Sequence, residues 1–150
     1  MTLPDRLALA DLVHRYAALV DDRRVGDVVS LFADGAELVV PDPPRSLEPV
    51  VHHLGSRAIR DAVAAVAAVD RTEHAVVGEV YTASGPDLAR GRITCVAHHW
   101  ARDEQRITDL VWHLRYDDEY VRAGRNWLFS RRALTINAIE TRPVRRLRPG

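Results

Sequence analysis

Apolar positions near the start of the chain recur at helical spacing, with Leu7, Leu9, Leu12, Val13, Tyr16, Leu19 and Val20 on one side of a 3.6-residue turn. Thr2, Pro4 and Asp5 precede them as an N-cap, a favourable early proline and a capping-box acid, so a first helix is expected from Pro4 to Asp22. A second, shorter helix is expected from Val25 to Phe32, ending before Asp34-Gly35. Ala36 to Val40 reads as a short strand. Pro41-Asp42-Pro43-Pro44 breaks it, because proline cannot donate to a ladder. The stretch to His53 has no clear period and is expected to be a mobile loop with a brief strand at Val50 to His52. Gly55-Ser56 then offers a start signal for a third helix, Arg57 to Val69, with Ile59, Val63, Val66 and Ala67 as its buried stripe.

Beyond this helix the period changes to two. Thr72 to Thr82, Ala89 to Arg102, Gln105 to Arg122 and Asn126 to Glu140 read as four long strands joined by Gly85-Pro86, Asp103-Glu104 and Ala123-Gly124. Helices followed by a long antiparallel meander are an α+β order, a curved sheet wrapped around helices. The expected organisation is a single domain over residues 1–140. Residues 141–150, with two prolines and four arginines, read as an exposed, flexible basic tail.

Composition narrows the function classes. The chain has 150 residues, 47% hydrophobic and 28% charged, as expected for one globular domain with a real core. Its formal net charge is +0, so no global field favours nucleic acid or an anionic membrane. All 21 basic residues are arginine, which excludes a Schiff-base lysine and a phosphate-loop lysine. Cys95 is the single cysteine, which excludes an intrachain disulfide and a CxxC motif and fits a reducing compartment. The N-terminus lacks the pattern of a signal peptide, and no apolar run reaches membrane-spanning length, so a cytoplasmic location is expected.

The most informative candidate is His74, in Arg71-Thr72-Glu73-His74-Ala75-Val76-Val77, where a charged turn becomes an apolar strand. Imidazole is the only side chain whose unperturbed pKa lies near neutrality, and a carboxylate beside it can orient one ring nitrogen and leave the other free to move protons. Asp21, closing the first helix, is the candidate carboxylate. Tyr16 lies five residues before it, about 140° around the helix, so both can line one cavity rim. Taken alone, Tyr16 reads first as helix packing and Asp21 as a helix-terminal or turn acid. Asp22 is the rival carboxylate, with Arg23 and Arg24 beside it as surface ion-pair partners.

In Arg92-Ile93-Thr94-Cys95-Val96-Ala97-His98-His99-Trp100, alternation puts Cys95, Ala97 and His99 on one face and His98 on the other. Small Cys95 and Ala97 leave room beside His99, as in a strand that floors a pocket. Leu110, Trp112, Leu114 and Tyr116 share a large apolar face that suits either a hydrophobic ligand or plain core. The opposite face, with Asp109, His113, Arg115 and Asp117, is polar and suits solvent or another subunit. The histidines at 52, 53, 74, 98, 99 and 113 lack ligand spacing, since adjacent ones on a strand point apart, so no metal site is expected. No serine sits in a Gly-x-Ser-x-Gly turn.

Arg15-Tyr16 followed by Asp21, Val28-Val29-Ser30-Leu31-Phe32-Ala33-Asp34, Gly55-Ser56-Arg57-Ala58-Ile59 and Thr72-Glu73-His74 come in an order that is informative as a set. With Arg115-Tyr116-Asp117-Asp118-Glu119-Tyr120 and Trp127-Leu128-Phe129-Ser130-Arg131-Arg132, they give a sequence that resembles the SnoaL-like family of the NTF2-like superfamily. That family includes polyketide cyclases, scytalone dehydratase and a dehydrochlorinase. The resemblance implies a cone-shaped α+β barrel with a deep apolar pocket, working without metal or organic cofactor. It places Asp21 and His74 where dehydratase and dehydrochlorinase relatives carry an orienting carboxylate and a catalytic histidine. His99 matches a second histidine of the dehydratase type, and Arg132 a pocket arginine of the dehydrochlorinase type. Tyr16 stands where the latter has lysine, and Leu114 and Tyr116 where the former has small polar residues.

The expected function is acid/base catalysis on a small apolar polyketide-like or aromatic metabolite: elimination, isomerisation or cyclisation. His74 is the expected base and acid, Asp21 its orienter, and Tyr16, His99 and Arg132 hydrogen-bond donors to developing negative charge. Cys95, Ala97, Trp112, Leu114 and Tyr116 are the expected pocket wall. The alternatives are a ligand-binding or dimerisation module on the same fold, and an epoxide hydrolase, which needs a second carboxylate. A homodimer is expected, since a curved sheet leaves an outer face to cover.

Overall fold

The computed structural model describes residues 1–104 and 106–149. Helix α1 (Leu3–Asp21) begins as the sequence suggests, with Thr2 and Asp5 forming a reciprocal capping box and Pro4 in the first turn. Its buried face is Leu9, Leu12, Val13, Tyr16, Ala17 and Val20. Leu7 departs from that stripe and is exposed. The C-terminus of α1 closes in a Schellman turn: Arg24 N–H donates to the Leu19 carbonyl and Arg23 N–H to that of Val20. Arg23 occupies the left-handed position of this turn, at φ 59°. Glycine usually sits there, and a residue with a β-carbon is strained by about 1–2 kcal/mol.

Helix α2 (Val25–Val29) is shorter than its expected span. Helix α3 (Gly55–Ala64) continues into a 3₁₀ turn over Ala65–Ala68. Leu54, with no side-chain bond, is its cap in place of Ser56. Ile59 and Val63 are buried, whereas Ala67 is exposed because the tighter turn rotates it off the helix stripe.

The strands are β1 (Phe32–Asp42), β2 (Ser46–Leu54), β3 (Arg71–Gly85), β4 (Leu88–Arg102), β5 (Ile107–Ala123) and β6 (Asn126–Val144). They form one six-stranded sheet in the order β2-β1-β6-β5-β4-β3, antiparallel except for the parallel β1–β6 pair. The expected loop before His53 is instead an edge strand, β2, paired with β1. The expected tail also starts later than residue 141. Thr141 to Val144 remain in the ladder opposite Leu110 to Ile107. After the strand, the carbonyls of Leu147 and Pro149 accept from Arg102 and Arg71, which ties the exposed segment across β4 and β3. No helix is long and apolar enough to cross a membrane among the described residues.

The core lies between the helices and the concave face of the sheet. At one end of it, Arg132 is 1% exposed and bonds Asp118 through two nitrogens, at 2.9 and 2.8 Å. Tyr120 donates its hydroxyl to the same carboxylate at 2.8 Å. The guanidinium also lies 4.2, 4.1 and 4.2 Å from the ring centroids of Tyr16, Tyr116 and Phe129. Burial alone would favour loss of the Arg132 proton, but the Asp118 charge and hydrogen bonds prevail and raise its pKa.

Candidate active site

Between α1, α3 and the sheet is a cavity of about 330 Å³, lined mainly by aliphatic and aromatic side chains. Tyr16 and Val20 reach it from α1, His74 from β3, His99 from β4, and Leu110, Trp112, Leu114 and Tyr116 from β5. The depth comes from β4. Ala97 pairs with His74 on one side and Trp112 on the other, so a methyl group lies between two rings. Cys95 stands likewise between Val76 and Leu114. Ala97 and Cys95 are fully buried beneath the cavity and do not line it, so their part is to leave space. Burial pushes the Cys95 thiol up to about 12, against the opposing Arg132 charge.

His74 and Asp21 meet at the cavity wall. The carboxylate closes α1, and β3 begins opposite it. Asp21 Oδ1 lies 2.6 Å from His74 Nδ1 and accepts the Thr72 hydroxyl at 2.9 Å, while Oδ2 accepts the His74 backbone N–H at 2.8 Å. Burial pushes the Asp21 pKa up. The His74 ring bond and charge, its backbone N–H and Thr72 outweigh that and hold it below its ordinary value of 3.8. An ionised Asp21 accepts the Nδ1 proton, which leaves the lone pair of a neutral His74 on Nε2. The side chain of His74 is 8% exposed.

His99 packs edge-on to His74, with ring centroids 6.1 Å apart, and leans on Trp112 at 4.7 Å. Its Nδ1 is 2.9 Å from the Leu110 carbonyl, which can only accept, so Nδ1 carries the proton. Burial lowers the His99 pKa below 6.5, and the ring stays neutral near neutrality. A neutral His99 therefore offers Nε2 as an acceptor. This corrects the expectation of a donor there.

Arg132 is also placed differently from the expected substrate donor. It is not among the cavity-lining residues, and Tyr16 and Tyr116 stand over its guanidinium. Burial raises the pKa of both phenols, so they are protonated and able to donate. Asp22 is exposed at the end of α1, and Arg24 pairs with Asp27 instead, at 2.6 Å. The remaining paired histidines are engaged elsewhere: His98 with Asp109, His52 with Glu37, His113 with Glu140 and His14 with Glu79. Among the described residues, no three His, Cys, Asp or Glu side chains converge as a metal set. Sequence reading missed Leu38, Val40, Pro41, Val66 and Val69 as cavity wall, since nothing in an apolar residue type separates wall from core.

The family model for the SnoaL-like domain matches residues 1–133. No curated protein is similar enough in sequence to count as a match. Among solved structures, a protein provisionally described as a scytalone dehydratase, from Novosphingobium aromaticivorans, is 19% identical with a TM-score of 0.80, over 98% of this chain and 93% of that one. The LinA structure is 21% identical with a TM-score of 0.78, over 95% and 90%. The Kfla4162 protein from Kribbella flavida is 25% identical with a TM-score of 0.75, over 91% and 93%. The helices on a curved, mainly antiparallel sheet are thus an NTF2-like fold, and the chain belongs to the SnoaL-like domain family.

Proposed function

We propose that this protein is an acid/base enzyme, a lyase, cyclase or isomerase, acting on a small, neutral, largely apolar polyketide-like or aromatic molecule without a cofactor. The observation that carries this reading is the 2.6 Å contact between His74 Nδ1 and Asp21 at the wall of an apolar cavity. In this reading His74 Nε2 takes a proton from carbon beside a carbonyl or leaving group, and Asp21 stabilises the imidazolium that forms. The same ring then returns the proton to a leaving hydroxyl or to another carbon. Tyr16 and Tyr116 donate to the developing oxyanion, and His99 accepts from a substrate hydroxyl. The names of similar structures lend support: besides the provisional scytalone dehydratase, one is described as a hexachlorocyclohexane dehydrochlorinase. Among the described residues, no Asp or Glu lines the cavity, which disfavours hydrolysis of an epoxide by paired carboxylates.

Proton abstraction can be tested without the natural substrate. Small cyclic ketones are incubated with the protein in D₂O, and deuterium uptake at the α-carbon is followed by NMR. The wild type is expected to accelerate exchange, and His74→Ala or Asp21→Asn to lose about 10²–10⁴-fold of that rate while remaining folded by circular dichroism. Folded variants that exchange as fast as the wild type would refute the proposal.

A further inference from the structure

Arg23 is the residue whose backbone and side chain are hardest to explain as ordinary surface. It takes the left-handed position of the Schellman turn, at φ 59°, where glycine would relieve the strain. Its guanidinium turns back toward the site. Nη2 donates to the Val69 carbonyl at 3.0 Å, and Nη1 lies 3.4 Å from Thr72 Oγ1. Val69 lines the cavity, and Thr72 is 4% exposed. One side chain therefore ties the end of α1 to the segment leaving α3 and to the start of β3.

The direction of these hydrogen bonds matters. A guanidinium has no acceptor, so Thr72 Oγ1 can only accept from Arg23. The single hydroxyl proton of Thr72 is then directed at Asp21 Oδ1, at 2.9 Å. Asp21 Oδ1 is the atom that also meets His74 Nδ1. We propose that Arg23 is a positioning residue: it fastens Thr72 and Val69 so that Asp21 is held against His74. This rests on the pairing of His74 with Asp21 proposed above.

The test reads the Nδ1–H resonance of His74 by NMR, with its exchange rate with water, and needs no substrate. Asp21→Asn is the control for the underlying pairing. If that variant leaves the resonance and its exchange unaltered, the Asp21–His74 reading fails whatever Arg23 does. With the control passed, Arg23→Gly is expected to speed exchange at least about fivefold, as for loss of one hydrogen bond. Its thermal midpoint should be kept or raised, because glycine relieves the turn. Arg23→Met keeps the stem and the strained backbone but has no donor, and must show the same acceleration if Arg23→Gly folds poorly. Arg23→Lys, which retains one donor group, should recover part of the protection. Unchanged exchange in Arg23→Gly or Arg23→Met, with or without a lower midpoint, overturns the proposal and leaves Arg23 a structural cap.

Discussion

Replacing Asp118 with leucine would leave Arg132 as a buried cation with no counter-ion. Both side chains are essentially excluded from solvent, at 1% and 0% exposure. Breaking such a pair by removing one partner typically destabilises by about 3–5 kcal/mol, and the three aromatic rings around the guanidinium offset only part of that. For a domain of this size each kcal/mol shifts the thermal midpoint by about 2–4 °C, so Asp118→Leu should lower it by about 6–20 °C. The logic also predicts a rescue. Combining Asp118→Leu with Arg132→Met removes both charges, and adding Tyr120→Phe removes the hydroxyl that Asp118 accepts. The triple variant should return close to the wild-type midpoint, since well-packed apolar groups often replace a buried ion pair without loss. Thermal unfolding followed by circular dichroism measures both. A midpoint drop under about 3 °C in Asp118→Leu would mean that the pair is not buried as described, and a triple variant no better than the single one would refute the electrostatic explanation.

Three further outcomes are expected. Gly91→Ala would place a β-carbon 2.7 Å from the Tyr120 hydroxyl and 2.8 Å from its ring; because that ring is buried and bonded to Asp118, overpacking should cost about 1–3 kcal/mol in chemical denaturation. Cys95, with its thiol pushed up to about 12 by burial, should resist a disulfide reagent at pH 8 until the protein is unfolded; rapid labelling of the folded protein would contradict its placement. The pH dependence of stability should carry two signatures. His99 has a pKa lowered from 6.5, so the unfolded chain takes up that proton first, and stability declines as pH falls below 6.5; His99→Gln should flatten this window. Asp21 is held below 3.8, so its stabilising contribution is complete above 3.8 and is lost as pH falls through its lower folded value; Asp21→Asn should remove that loss.

Much of the site was legible because it depends on local periods. The capping box at Thr2 and Asp5 fixes the start of α1, so the helical period runs to Asp21 at its end, and alternation along β4 puts His99, Ala97 and Cys95 on one face. What escaped has physical reasons. Strand β2 is an edge strand with Val50 and Val51 exposed, so no buried face imposes alternation on its sequence. The β5–β6 ladder shifts register twice, between His113 and Leu114 and between Glu119 and Tyr120, so period-two reading cannot carry a face across β6. Arg132 lies between those shifts, and its burial against Asp118 was not readable from alternation. Arg23 escaped for the opposite reason: the turn it makes is one that sequence rules assign to glycine.

The two cavity histidines are the same residue type in contact with each other, yet their Nδ1 atoms meet different groups. His74 is bonded through Nδ1 to the Asp21 carboxylate. His99 is bonded through the same nitrogen to a neutral carbonyl and is destabilised as a cation by burial, with the His74 charge also unfavourable. A charge on His74 therefore further discourages charge on His99. In the proposed reaction His74 carries the proton between two substrate atoms, while His99 orients a hydroxyl. The proposed roles are not exchangeable, because they follow from what Nδ1 meets: Asp21 at the end of a helix in one case, and the Leu110 carbonyl of the neighbouring strand in the other.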